Sequence, residues 1–157
     1  MKSNISIIAA GFSIFGTTIA LIGDGSNGAG TVVASYPLGM SNDAYVCNDN
    51  RWKVKEIKEQ AKTASKFLPK ADGNAPSNKP GEYPKEHNTT DETLLHGCTG
   101  LMYEWPLTKP TFSAGGTPGY DFLLLEADYN SDKVEICNVV TTVDGGHNTC
   151  VHHRSEY

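Results

Sequence analysis

The chain has 157 residues, of which 38% are hydrophobic and 20% charged, and its formal net charge is −5. This composition excludes a disordered chain and predicts one globular domain with a modest core. The charge is uneven, because residues 51–70 hold seven basic and two acidic side chains, whereas residues 71–157 hold five basic and thirteen acidic ones. Any binding to nucleic acid would have to use that basic segment, although an ordinary solvated helix face is the simpler interpretation.

The N-terminus predicts a secretory signal peptide over residues 1–23. Lys2 is followed by an uncharged, apolar-leaning run and then by the small-residue stretch GDGSNGAG, which is the order typical of such peptides. Cleavage is expected between residues 20 and 29, which leaves a domain over residues 24–157. A membrane anchor is the alternative, but glycines and threonines dilute the run. After cleavage no membrane contact is expected.

The next segment predicts a short strand, Ala44–Cys47, followed by a helix. Apolar residues recur every three or four positions from Val54 to Phe67, as on one side of a helix. One of the residues 48–50 (Asn, Asp, Asn) is expected to cap its start. Four basic residues of this helix lie near one another on another side and are candidate RNA contacts: Lys55, Lys58, Lys62 and Lys66.

The remainder of the chain predicts strands separated by turns. These strands are residues 101–107, 120–129, 133–143 and 148–152. Along the third of them, alternation is expected to place Val134, Ile136, Asn138 and Val140 on one face. The predicted architecture is therefore α+β, with one N-terminal α-helix packed on a central antiparallel β-sheet.

Four cysteines are expected to form disulfides in a secreted protein. They are Cys47, Cys98, Cys137 and Cys150. Three pairings are open, and the residues alone do not choose among them. A metal site built from His147, Cys150, His152 and His153 is not predicted, because strand alternation would point the last two side chains to opposite faces. No metal and no other cofactor is expected.

Three motifs carry a resemblance to a known family. Tyr83-Pro84, then YEWP at residues 103–106, then GGTPG at residues 115–119 occur in this order, and together they resemble the fungal guanyl-specific ribonucleases. The triplet at residues 45–47 (YVC) further resembles the secreted ribonuclease-like effectors of powdery mildew fungi. The likeness covers roughly residues 44–152. It implies a microbial ribonuclease-like fold, a disulfide between Cys47 and Cys150, and, as a weaker inference, one between Cys98 and Cys137.

The resemblance also implies which residues would do chemistry. RNA cleavage in that family uses a base, an acid and cations around the phosphate. Glu104 matches the base, and Tyr83 matches a tyrosine that contacts the phosphate. Lys85 stands at the position of a histidine, Phe122 at that of an arginine, and Thr142 at that of the histidine acid.

These replacements predict a protein that is not an enzyme. A threonine hydroxyl is a far weaker acid than imidazolium, and Phe122 removes a fixed positive charge from the phosphate site. His87, two residues after Lys85, would restore an imidazole only if the loop shifted. A weakly active secreted ribonuclease is therefore the alternative.

For a non-catalytic protein of this kind, the resemblance implies an effector that enters host plant cells, perturbs immunity and meets a plant immune receptor. Its partner is then either host RNA, ribosomal RNA included, or a host protein. RNA would be bound by the basic helix together with Tyr83, Lys85 and Glu104, whereas a host protein would be bound by the loops. Asn88 begins a sequon for N-glycosylation, which is compatible with secretion.

Overall fold

The computed structural model describes residues 31–34, 38–70, 76, 79–128 and 133–155. The predicted signal peptide and its cleavage region lie outside the described residues. Over the described part the chain is α+β, as expected. Its elements are β1 (Thr31–Ala34), β2 (Ala44–Cys47), β3 (Asn50–Lys53), α1 (Val54–Ala64), β4 (Lys85–His87), α2 (Glu92–Leu95), β5 (Met102–Pro106), β6 (Asp121–Asp128), β7 (Lys133–Val143), β8 (Gly146–Thr149) and β9 (Val151–His153). Among these helices, none has the length and apolar character needed to span a membrane.

The main sheet is mixed, which corrects the expectation of an antiparallel one. Its strand order is β1-β7-β6-β5-β4, with β8 also paired to β7. β1 runs parallel to β7, whereas the other pairs are antiparallel. Parallel strands need a long connection, and here nearly a hundred residues separate β1 from β7. The pairing therefore could not be predicted from turn signals, which are local.

A smaller antiparallel sheet has the order β3-β2-β9. The predicted last strand, residues 148–152, is therefore divided between the two sheets. Cys150 lies at the division, where its sulfur is bonded to Cys47 on β2 and its N–H donates to the Val139 carbonyl at 2.9 Å. The hydrogen bond holds Cys150 to the main sheet and the disulfide holds it to the small sheet, so the chain passes from one sheet to the other at this residue.

The main helix, α1, begins later than the sequence suggested. Lys53 precedes its first turn, and its N–H donates to the Glu56 carboxylate at 2.9 Å. Asn48 and Asn50 do not cap it, because their side chains donate instead to Thr141 and Asp121 on the main sheet. Three strands precede α1, so it is not clearly an N-terminal element, and a second short helix, α2, follows it, so α1 is not a single helix as expected.

A bulge in β7 changes which side chains share a face. Leu125 pairs with Ile136 but Leu124 pairs with Asn138, so Cys137 is an extra residue on β7. An extra residue reverses the alternation beyond it. Asn138 and Val140 consequently lie on the face opposite Val134 and Ile136, which corrects the predicted grouping.

The two faces of the main sheet have different coverings. Phe67, just beyond α1, stacks on Trp105 with ring centroids 5.8 Å apart. Glu104, the neighbour of Trp105 along β5, points the other way; we call that side the Glu104 face. On it, the buried Asn138 amide donates to the Leu94 carbonyl of α2 at 3.2 Å. The helix α1 and the short helix α2 therefore pack on opposite sides of the sheet.

Both disulfides implied by the resemblance are present. Cys47 is bonded to Cys150 and Cys98 to Cys137. All four residues are buried. The first bridge joins β2 of the small sheet to Cys150, the residue between β8 and β9. The second bridge joins the segment after α2 to the bulge in β7.

Candidate functional site

Polar side chains from several strands meet on the Glu104 face. Glu104 on β5 pairs with Lys85 on β4, and Thr142 on β7 pairs with His147 on β8. Paired residues of antiparallel strands share a face, as do residues two apart along one strand. His87, two residues after Lys85, therefore joins them. The ladder across β6 places all five side chains on the same side of the sheet.

Three of these side chains are in direct contact, and we call them the Glu104 cluster: His87, Glu104 and His147. His87 Nδ1 lies 2.5 Å and His147 Nε2 lies 2.9 Å from the same carboxylate oxygen, Oε1 of Glu104. The two imidazole rings stack with centroids 5.0 Å apart and planes 14° apart. The three side chains are 12–15% exposed, so the cluster is largely enclosed but still reachable from solvent.

The contacts fix the roles of the ring nitrogens. A carboxylate accepts hydrogen bonds, so the hydrogens belong on His87 Nδ1 and His147 Nε2. The opposite nitrogens, His87 Nε2 and His147 Nδ1, are buried and have no hydrogen-bond partner within the described part of the chain. Burial lowers the pKa of His147; the Glu104 carboxylate opposes that shift, and His87 adds to it.

An aromatic wall borders the cluster. Phe122 stacks on His147 with centroids 5.9 Å apart and lies 6.0 Å from Tyr83, which meets Phe112 edge-on at 5.5 Å. Tyr83 is buried, and burial, followed by the nearby Glu82 and Glu104 charges, raises its pKa. The position at which the family has an arginine is thus part of an apolar stack.

The five residues singled out from the resemblance lie around this site. Lys85 is exposed beside Glu104. Thr142 is half-buried, and its N–H donates to the Tyr120 carbonyl at 2.7 Å. With Tyr83 and Phe122 in the aromatic wall, the structure brings the predicted set together. It also brings in His87 without any shift of the loop, because β4 carries it on the same face as Lys85.

His147 was missed as a member of the site. The sequence grouped it with the histidines that follow it, whereas the β7–β8 hairpin places it opposite Thr142. Asp144 and Gly145 form the two-residue turn, and both have positive φ, as a type I′ turn requires. An Asp-Gly turn of two residues fixes this register, so the pairing of Thr142 with His147 was available from sequence.

The basic residues of α1 are not part of this site. Lys55 and Lys62 are exposed and Lys58 is half-buried. Lys66, also exposed, lies just beyond the end of α1. The helix packs on the opposite side of the sheet from Glu104. Lys85 and the helix lysines therefore belong to two separate surfaces. The sequence combined them in one RNA-binding surface, whereas the structure places them on opposite sides of the main sheet.

The terminal histidines and Asn88 are not members of the Glu104 cluster. The sulfur of Cys150 is in a disulfide and is not a free ligand. His152 Nε2 lies 3.4 Å from the Asp43 carboxylate, and its ring stacks on Tyr45. These contacts separate His152 from His147. Asn88 is exposed just after β4, where a glycan would have access to solvent.

Chemically, the Glu104 cluster offers two functions. A carboxylate in contact with an imidazole is a general acid–base pair. The ligand atoms of the three side chains also lie within 4.8 Å of one another, close enough for one metal ion. Comparison of the whole chain with protein-family models and with curated proteins found no match, so the ribonuclease resemblance depends on the quoted motifs.

Proposed function

We propose that the protein is a secreted ribonuclease-like effector that acts in host plant cells. It acts by binding a partner and does not cleave RNA. In this proposal it perturbs host immunity through a bound host protein, and a plant immune receptor recognises it. Two buried disulfides, typical of secreted proteins, support the secretory part. The effector role comes from the resemblance to powdery mildew proteins.

The contact between His147 and Glu104 supports the absence of catalysis. Cleavage of the RNA backbone needs a base at the attacking 2′-hydroxyl and an acid at the leaving 5′-oxygen, placed on opposite sides of the phosphorus. Each would make its own hydrogen bond of about 2.8 Å to the substrate. Here Glu104 Oε1 and His147 Nε2 are only 2.9 Å apart, which leaves no gap for a phosphodiester between them.

The surroundings of the cluster support the same proposal. Phe122 provides no charge to stabilise a phosphorane, and the loss of one such group typically costs about 10²–10³ in rate. Tyr83 is held in an aromatic stack by Phe112 and Phe122. Lys85 supplies a positive charge beside Glu104, but its side chain is exposed.

An RNA-cleavage assay tests the non-catalytic proposal. The disulfide-intact protein is incubated with single-stranded RNA in the presence of a chelator, beside Glu104→Gln and the matched control Glu86→Gln. Glu86 is exposed on β4 and pairs with Tyr103 of β5, so its side chain lies on the other side of the sheet from Glu104. We expect all three proteins to match the buffer blank. Cleavage by the wild type and Glu86→Gln that disappears in Glu104→Gln would overturn the proposal.

The same assay addresses the second candidate, a weakly active ribonuclease. This candidate is supported by one observation, the presence of two imidazoles at Glu104. In that reaction Glu104 would accept the 2′-hydroxyl proton and His147 would protonate the 5′-oxygen after the two side chains separate. It requires that His147→Gln abolish cleavage as fully as Glu104→Gln does.

Binding to host RNA is a further candidate, supported by the lysines of α1. Lys55, Lys58 and Lys62 are three and four residues apart, so they project from one side of the helix over about 10 Å. The affinity for single-stranded RNA should fall with salt, and replacing all three lysines by Gln should make the slope of log K against log salt concentration shallower by about two. Lys133→Gln, which removes an exposed lysine at the start of β7 outside the candidate RNA contacts, is the matched control.

Affinity capture from host tissue separates the protein and RNA partners. The mature protein is used as bait, with and without ribonuclease treatment of the extract. A host protein that remains bound after the treatment is the result expected for the effector proposal. If every captured component is lost with the RNA and with the α1 lysines, the RNA-binding candidate replaces it.

A further inference from the structure

The Glu104 cluster has the chemical composition of a transition-metal site. His87 on β4, Glu104 on β5 and His147 on β8 each offer one ligand atom, and these atoms lie within 4.8 Å of one another. We propose that the cluster binds one divalent transition-metal ion of the zinc class. This inference does not depend on whether the protein cleaves RNA.

The distances fit a small rearrangement. Zinc bonds to imidazole nitrogen and carboxylate oxygen of about 2.0–2.1 Å place neighbouring tetrahedral ligands about 3.3 Å apart. The present separations from Glu104 Oε1 are 2.5 Å to His87 Nδ1 and 2.9 Å to His147 Nε2. Each of these two pairs therefore has to widen by less than about 1 Å. The ion takes the place of the two hydrogens that now bridge these atoms. The two ring nitrogens, which lie within 4.8 Å of each other, have to reach a similar separation of about 3.3 Å.

The ligand types determine which metals are bound. Two imidazoles and one carboxylate suit Zn²⁺, Cu²⁺ or Ni²⁺, whereas Ca²⁺ and Mg²⁺ prefer sites made entirely of oxygen atoms. Thiolate competition is absent from the described residues, because their cysteines are all in disulfides. Three protein ligands leave a fourth position for water or an anion.

The surroundings limit the affinity. When the metal occupies His87 Nδ1 and His147 Nε2, the hydrogens move to the outward nitrogens, which have no acceptor among the described residues. Such supporting partners typically contribute 10–100-fold in affinity, so we expect binding weaker by about that factor than at a fully supported site. Lys85, paired with Glu104, adds a repelling charge, and Lys85→Ala should tighten binding.

Titration of the disulfide-intact, untagged protein with Zn²⁺ tests the proposal. Calorimetry should give one ion per chain, and Co²⁺ should develop the visible absorption of a tetrahedral complex. Glu104→Gln and His147→Gln should each weaken Zn²⁺ binding at least about tenfold. The matched control is His153→Ala, which removes an exposed histidine on β9 outside the cluster and should bind as the wild type does.

The wild type alone also decides the question, so a misfolded variant does not obscure it. Zn²⁺ should shift or broaden the imidazole NMR signals of His87 and His147 and leave those of His153 unchanged. Absence of saturable binding would overturn the proposal. So would binding that is unaltered in Glu104→Gln and lost in His153→Ala, because that result assigns the ion to a surface histidine.

Discussion

Asp121 joins the two sheets, and its removal should cost much of the stability that this junction provides. The residue is 1% exposed at the start of β6. Its Oδ2 accepts hydrogen bonds from Asn50 Nδ2 at 2.7 Å and from Trp52 Nε1 at 2.8 Å. Both donors belong to β3 in the small sheet. We predict that Asp121→Ala destabilises the fold.

The magnitude follows from the state of each donor after the substitution. A hydrogen bond to an ionised group contributes about 1.5–3 kcal/mol, and a buried donor left without a partner is costly. The Trp52 indole would be left buried, whereas Asn50 is exposed and can bond to water. Removing a buried carboxylate also relieves its own desolvation, which offsets part of the loss. We therefore expect a decrease of about 3 kcal/mol in the free energy of unfolding.

Urea unfolding, followed by tryptophan fluorescence and circular dichroism with both disulfides intact, measures this decrease. Asp49→Ala is the matched control, because Asp49 is exposed in the nearby turn, and it should change stability by less than about 0.5 kcal/mol. In a Trp52→Phe background the effect of Asp121→Ala should shrink by at least about 1 kcal/mol. An Asp121→Ala loss equal to that of the control, or unaltered by Trp52→Phe, would refute the reasoning.

Three further predictions concern stability. Replacing Cys98 and Cys137 by serine frees a loop with a sequence separation of 39 and should cost about 4 kcal/mol in urea unfolding. The Asp43 pKa is lowered below 3.8, first by hydrogen bonds from the Ser155 and Met40 N–H groups. The ionised carboxylate therefore stabilises the fold above pH 3.8, and this stabilisation is lost as the pH falls through the lowered pKa. Asp43→Asn should make the free energy of unfolding less dependent on pH in this acidic range. Gly145 has φ +82°, so Gly145→Ala should lower the thermal midpoint, at a cost of about 1 kcal/mol.

Local patterns predicted most of the elements, and long-range pairing decided the remainder. The strand over residues 133–143 has the predicted bounds, because apolar alternation and flanking turns are local signals. Its bulge at Cys137 was not predictable from alternation, since the register is set by the partner strand. Likewise, the asparagines before α1 have the composition of helix caps, but contacts with Asp121 and Thr141 on distant strands use their side chains instead.

The candidate site was predicted in part for the same reason. The motifs located Glu104, Lys85 and Thr142, whose neighbours along the chain are visible in the sequence. The contribution of His147 depends on its cross-strand pairing with Thr142, and that of His87 depends on strand geometry at β4. His87 lies two residues after Lys85, and His147 lies opposite Thr142. Each histidine is therefore beside a position where the resemblance implies one, and a position-by-position comparison does not detect it.

In the non-catalytic proposal the two imidazoles do not make an acid–base site for RNA cleavage, because their separation from Glu104 determines which reaction the group can carry out. An acid and a base that act on one phosphodiester must be held apart by the substrate, and His147 instead touches Glu104 at 2.9 Å. That contact is short for RNA cleavage and is close to the spacing that a bridging metal ion requires. The same geometry therefore supports both the non-catalytic proposal and the metal-binding proposal. Because cleavage is assayed in chelator and zinc binding is measured without RNA, either proposal can fail while the other stands.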